Sequence, residues 1–132
     1  MTTARQKLGR WGEKLAAEYL AAQGYIILEI NVRTPYGEID LVACQEEPAI
    51  SVDSGRLTVT VFVEVKTRAT RTFGYPEESV NPRKQAHMLA SAQFYVQSHP
   101  DLGDHWRIDV IAIQRQPGGL APAIQHFVNA IH

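Results

Sequence analysis

The sequence predicts an α/β sandwich in which helices pack on a mixed central sheet, in the order helix, three strands, helix, then one or two strands. Three observations predict it. Apolar residues recur at helical spacing over residues 3–23, a run of β-branched residues spans 57–67, and Asn81-Pro82 opens a second helical stretch between the first strands and the later ones.

Each element has its own warrant. Leu8, Trp11, Leu15, Tyr19 and Ala22 share one face of the first helix, and Gly24 stops it. Glu13 falls on the edge of that stripe, in line with Gly9, Ala16 and Leu20, where a carboxylate reaches either the sheet or water. Residues 25–33, rich in isoleucine, read as a strand. Thr34-Pro35-Tyr36-Gly37 has the residues of a tight turn, and 38–43 return as the second strand of a hairpin. Residues 44–56, with Pro48, Ser54 and Gly55 among several acids, read as a loop or a long hairpin tip. Val59, Val61, Phe62, Val63 and Val65 make residues 57–67 the strongest strand in the chain. A stretch of mobile character, 68–79, carries Gly74 and Pro76. Asn81 then caps a helix with Pro82 at its first position. That helix runs to about Ser98, with Ala86, Leu89, Ala90 and Phe94 as core positions. Residues 107–113 form a further strand, Gln116-Pro117-Gly118-Gly119 a turn, and 123–128 a last strand. The first strands are antiparallel, and the strand after the second helix comes alongside them by a crossover.

The 132 residues, 45% hydrophobic and 20% charged, have an ordinary globular balance and suffice for a real core, so a single domain over 1–132 is expected. A lone cysteine, Cys44, excludes an internal disulfide and reads as a buried thiol at a strand end. The basic residues at the start have no apolar run behind them, and no stretch approaches the roughly 18 apolar residues of a membrane span. A cytoplasmic protein with no membrane partner is the expectation. A net charge of −1 is not that of a typical nucleic-acid binder. The charge is unevenly spread, however, with Lys7, Arg10 and Lys14 near the start and Lys66, Arg68, Arg71, Arg83 and Lys84 further on. Such a chain can present one positive face to phosphates; a solvated mixed-charge surface fits the same numbers.

The chemistry concentrates in two strands. In Glu64-Val65-Lys66 the two charged side chains point to one face and the flanking valines to the other. Burying them demands compensation by a metal ion, a substrate phosphate or a salt bridge. Asp40 alternates with Ile39 and Leu41 on the preceding strand. If the two strands pair, an acidic face meets an acidic face. Hard oxygen ligands of this kind suit Mg2+ or Mn2+, and an adjacent lysine can polarise a water or steady charge on a phosphate. Two amphipathic strands whose acids face solvent remain the plain alternative.

The run Gly37-Glu38-Ile39-Asp40-Leu41-Val42, combined with Val61-Phe62-Val63-Glu64-Val65-Lys66-Thr67-Arg68 and the element order around them, resembles the YraN-type uncharacterised protein family. That family in turn resembles the restriction-endonuclease-like nucleases, with their three-layer sandwich, and among them the archaeal Holliday junction resolvases. The likeness spans about Leu8 to Ile113. It implies Asp40 and Glu64 as ligands of Mg2+ or Mn2+ with the backbone carbonyl of Val65, Lys66 as the catalytic lysine, and Glu13 as the acid from the first helix. Gln85 falls where related nucleases carry a supporting polar residue. The usual proline before the aspartate is replaced by Ile39. The activity implied is metal-dependent phosphodiester hydrolysis on DNA, branched DNA included, with Arg10, Arg33, Arg68 and Arg71 contacting phosphates and a two-fold homodimer left open. Two other readings stand beside it: a non-catalytic nucleic-acid-binding module on the same fold, and an interaction domain whose acids and lysine merely pair.

Other groups carry less. The five histidines lack metal-ligand spacing with Cys44 or each other, so zinc is not expected. Trp11 and Trp106 read as core, and Asp109 as the structural partner of Arg107 across a neighbouring strand.

Overall fold

The computed structural model describes residues 2–48, 56–69 and 80–132. Arg71 and most of the stretch expected to be mobile therefore lie outside the described residues. Five strands form one sheet in the order β1-β2-β3-β4-β5: β1 (Ile26–Thr34), β2 (Gly37–Pro48), β3 (Arg56–Arg68), β4 (Trp106–Gln114) and β5 (Ala123–Ile131). The first three make an antiparallel meander, β3 and β4 are parallel, and β5 returns antiparallel to β4. The parallel step is the crossover expected, and α2 (Pro82–Ser98) lies within it.

Helix α1 (Ala4–Ala22) covers one face of the sheet, burying Ala16 and Leu20 against Leu41, Val61, Val63, Ile111 and Ile113. Helix α2 covers the other, burying Ala92 and Tyr95 against Val42, Phe62, Ile108 and Val110. The result is the three-layer sandwich that the sequence predicts. Among the described residues no helix is long and apolar enough to cross a membrane.

Both helices are rotated from their predicted phase. On α1 the deepest line is Gly12, Ala16 and Leu20, while Trp11, Leu15 and Tyr19 flank it and Ala22 is exposed. The cause is close approach: a Cβ at Gly12 would lie 2.0 Å from Thr67 Oγ1, so the helix rests on β3 by its small residues and its large ones splay to the sides. This brings the line of Glu13 towards the sheet. On α2 the buried residues are Ser91, Ala92 and Tyr95, with Met88, Leu89 and Val96 packed beside them. Ala86 and Phe94 are exposed instead of forming core. Tyr95 is admitted to the interior because its hydroxyl donates to Glu29 Oε2 at 2.6 Å.

Of the segment read as a loop or a long hairpin tip, 44–48 and 56 are paired strand, as the second alternative requires, and 49–55 lie outside the described residues. Pairing continues from Cys44↔Thr60 to Pro48↔Arg56, because ladder hydrogen bonds do not depend on apolar side chains. Cys44 is accordingly a half-buried mid-strand thiol rather than a buried strand end. Trp11 and Trp106 pack against the two cores as expected. Asp109, fully buried, takes Arg107 Nε at 3.0 Å along its own strand rather than across, together with His126 Nε2 at 2.7 Å and the Asn129 amide at 2.9 Å from β5. Tyr19 of α1 reaches the other nitrogen of His126, at 3.3 Å, and so ties this edge of the sheet to the helix.

Candidate active site

The pairing of β2 with β3 runs down to Leu41↔Val63 and goes no further. At the next position the Asp40 side chain takes over: its Oδ2 accepts the Val65 amide hydrogen at 2.8 Å, where a strand partner's carbonyl would otherwise do so. The two strands part at this point, and the acids gather at the fork. Glu64, only 8% exposed, lies close enough to Asp40 for its charge to act on that carboxyl. Lys66, on the same face of β3 as the alternation requires, places Nζ 3.3 Å from Glu64 Oε1.

Two residues that the sequence did not assign to the site complete the cluster. Lys84, in the first turn of α2, sets its ammonium 2.9 Å from the same Glu64 oxygen. Its position follows from the cap, since Asn81 Oδ1 accepts the Lys84 amide at 2.9 Å and fixes that turn. Asn31 sits across the β1–β2 pair from Asp40, between the partners Ile30↔Leu41 and Val32↔Ile39, with φ of 56°. With its amide turned to donate, Nδ2 lies 2.8 Å from Glu13 Oε2 and 3.0 Å from Glu38 Oε1. An asparagine inside an isoleucine-rich strand is the one local signal that pointed here, because it tolerates the left-handed backbone that larger residues avoid. Lys84 stood out only as one of a basic cluster; its partner Glu64 is 20 residues away in sequence and in another layer.

The structure thus brings Glu13, Asp40, Glu64 and Lys66 to one open cleft of about 680 Å³, which Val65, Arg10, Arg33 and Arg68 also line. Gln85 does not line it: its amide donates to the Val80 carbonyl at 2.9 Å and serves the start of α2. A second cleft, of about 510 Å³, opens on the α2 side and shares Glu38, Asp40, Glu64 and Lys84 with the first.

Charge is out of balance at the fork. Burial, then the charge of Glu64, push Asp40 up to about 8, with the Val65 amide opposing and Glu13 adding to the rise. Glu13 is raised by burial and by Glu38, against its hydrogen bond from Asn31. Lys66 is lowered by burial and by Lys84. Lys84 loses some basicity to burial but is raised overall by its contacts with Lys66 and Glu64. Among the described residues no three His, Cys, Asp or Glu side chains converge as a closed metal cage. A carboxylate pair lining an open cleft nevertheless fits a hard cation such as Mg2+, which takes one or two carboxylates and keeps several waters.

Fold and site together define a three-layer α/β protein whose split hairpin and second helix bring two acids and two lysines to the meeting of two clefts. The chain belongs to the Uncharacterised protein family UPF0102, whose profile matches residues 12–113 and so spans every member of the cluster. It is 43% identical over 125 residues to the UPF0102 protein of Syntrophomonas wolfei subsp. wolfei, covering 95% of this chain and 97% of that one. It is 42% identical over 130 residues to the UPF0102 protein of Syntrophotalea carbinolica, covering 98% and 95%. A third relative, from Dehalococcoides mccartyi, is 40% identical over 132 residues, covering 99% and 98%.

Proposed function

We propose that the cleft is the active site of a metal-dependent endonuclease that hydrolyses phosphodiester bonds in DNA, branched DNA included. The observation that carries the reading is the fork itself, where Asp40 and Glu64 meet beside Lys66 in a cleft walled by arginines. A divalent cation, magnesium or manganese, held by the Asp40 and Glu64 carboxylates and the Val65 carbonyl, would supply Lewis-acid polarisation of the phosphate and a water of lowered pKa. The chain's own residues do the rest. Val65 N–H holds one oxygen of the Asp40 carboxylate and so orients that group where it lines the cleft. Lys66, held by Glu64 and largely shielded from solvent, presents a proton donor to a phosphoryl oxygen or to the attacking water. Lys84 adds a second positive charge from the opposite layer, and Asn31 holds Glu13 at the rim. Arg10, Arg33 and Arg68 grip phosphates and position the strand without reading its sequence.

The test is incubation of the full chain with Mg2+ or Mn2+ and a panel of linear, flapped and four-way DNA. Cleavage is expected with either metal, is lost on chelation, and is abolished by Asp40→Asn and by Lys66→Ala. Cleavage that is absent, or that survives both substitutions, overturns the proposal. One observation favours the non-catalytic binding module instead: Glu64 already has two ammonium partners within 3.3 Å and can be satisfied without a metal. That reading predicts salt-sensitive DNA binding without turnover and little loss on Glu64→Gln.

A further inference from the structure

We infer that the second cleft is a stacking subsite for an unpaired base beside the scissile phosphate, with Tyr36 as its platform. The inference rests on the hydrolase reading for the position of that phosphate and adds the form of substrate the site selects. The two clefts share Asp40 and Glu64, so a strand whose phosphate sits at the fork continues into both. Their walls differ. The first carries arginines on three elements, chemistry suited to a run of phosphates. The second is lined by Tyr36, His87 and Met88 with Arg83 and Lys84, a surface for a flat ring next to one phosphate.

Tyr36 is 52% exposed, yet it is held in place. Its amide donates to Thr34 Oγ1 at 3.1 Å, and Thr34 Oγ1 donates in turn to the Gly37 carbonyl at 2.9 Å. Ser91 of α2 meets Thr34 Oγ1 at 2.9 Å; with the threonine proton committed to Gly37, the serine is the donor. The turn between β1 and β2 is thereby fastened to α2, and Phe94 steadies the ring edge-on, with centroids 6.4 Å apart and planes at 68°. An aromatic that is fixed beforehand and open to solvent loses little freedom when a base stacks on it. Bases inside a duplex are stacked on both sides and offer no face to such a ring, whereas a base at a flap or branch does. The substrate class is therefore nucleic acid with an unpaired nucleotide adjoining the phosphate at the fork.

The experiment titrates the full chain, in calcium, into a flapped duplex carrying 2-aminopurine as its first unpaired base and into the fully paired duplex of the same sequence. Fluorescence and anisotropy are read together. Wild type is expected to bind the flapped form about 10-fold more tightly and to quench the 2-aminopurine. Tyr36→Ala loses the quench and the preference; Tyr36→Phe keeps both, and the paired duplex binds each variant within about 2-fold of wild type. Equal affinity for the two DNAs, or identical behaviour of Tyr36→Ala and Tyr36→Phe, overturns the inference. Cleavage that depends on Asp40 but ignores Tyr36 also removes the subsite while leaving the nuclease. Flap binding that depends on Tyr36 without any cleavage keeps the subsite and removes the nuclease.

Discussion

Gly12→Ala tests the geometry that carries α1, and with it Glu13, to the sheet. Helix propensity alone favours the substitution, since alanine is better than glycine in a helix interior by about 1 kcal/mol. Packing opposes it. The new Cβ would stand 2.0 Å from Thr67 Oγ1 and 2.9 Å from Thr67 Cβ and Cγ2. Turning the threonine about χ1 exchanges Oγ1 and Cγ2 but leaves Cβ in place, so relief requires α1 to lift from β3 and loosens Ala16 and Leu20 in the core. Overpacking of this kind costs roughly 1–3 kcal/mol; a 2.0 Å contact belongs at the upper end, so after the gain of about 1 kcal/mol in propensity a net loss of about 2 kcal/mol remains. Urea unfolding followed by circular dichroism measures it, with Thr67→Ala and Thr67→Gly completing a double-mutant cycle. Thr67→Gly removes all three obstructing atoms and should make Gly12→Ala neutral or stabilising in its background. The reasoning is refuted if Gly12→Ala is as stable as wild type, or if its cost is the same whatever stands at residue 67.

Three other perturbations follow from the charges. Asp40 ionises near 8 in the folded chain against an ordinary 3.8, so the native state holds a proton the unfolded chain releases, and stability falls as pH rises between those values. Asp40→Asn should remove that slope and raise stability at pH 8 by about 1–2 kcal/mol, read as urea midpoints at pH 5 and pH 8; parallel pH profiles for the two proteins would contradict it. Burial by itself would raise Asp109, but the bonds from His126, Arg107 and the Asn129 amide outweigh it and hold the carboxyl below its usual value. Its contribution is therefore present above the ordinary carboxylate range and lost in acid. Asp109→Ala should cost about 3 kcal/mol at neutral pH and flatten the acid limb of thermal unfolding. For the proposed hydrolysis, Lys84→Met should lower the cleavage rate about 10-fold while Gln85→Ala leaves it within about 2-fold, since Lys84 touches Glu64 and Gln85 serves the helix start.

The sequence by itself determined the order of elements, both helix starts, the tight turn and the mixed sheet, because those follow from periods of 3.6 and 2 and from caps that act over three or four residues. It also determined that Glu64 and Lys66 share a face, which pleating requires of any strand. What it left undecided depends on distance. The phases of α1 and α2 were set by which side of each helix fits the sheet, and the small Gly12 and Ala16 won over the larger residues beside them. Between the loop and the long hairpin tip that the sequence left open after Cys44, the sheet chose the hairpin, because backbone pairing is indifferent to the polar side chains there. Lys84 and Asn31 joined the acids only through tertiary structure, one from another layer and one from across a strand pair. The fork at Leu41 and Val63, which turns two separate acids into one strained pair, is likewise a product of the folded sheet: a carboxylate replaces a backbone carbonyl there, and no local pattern announces that exchange.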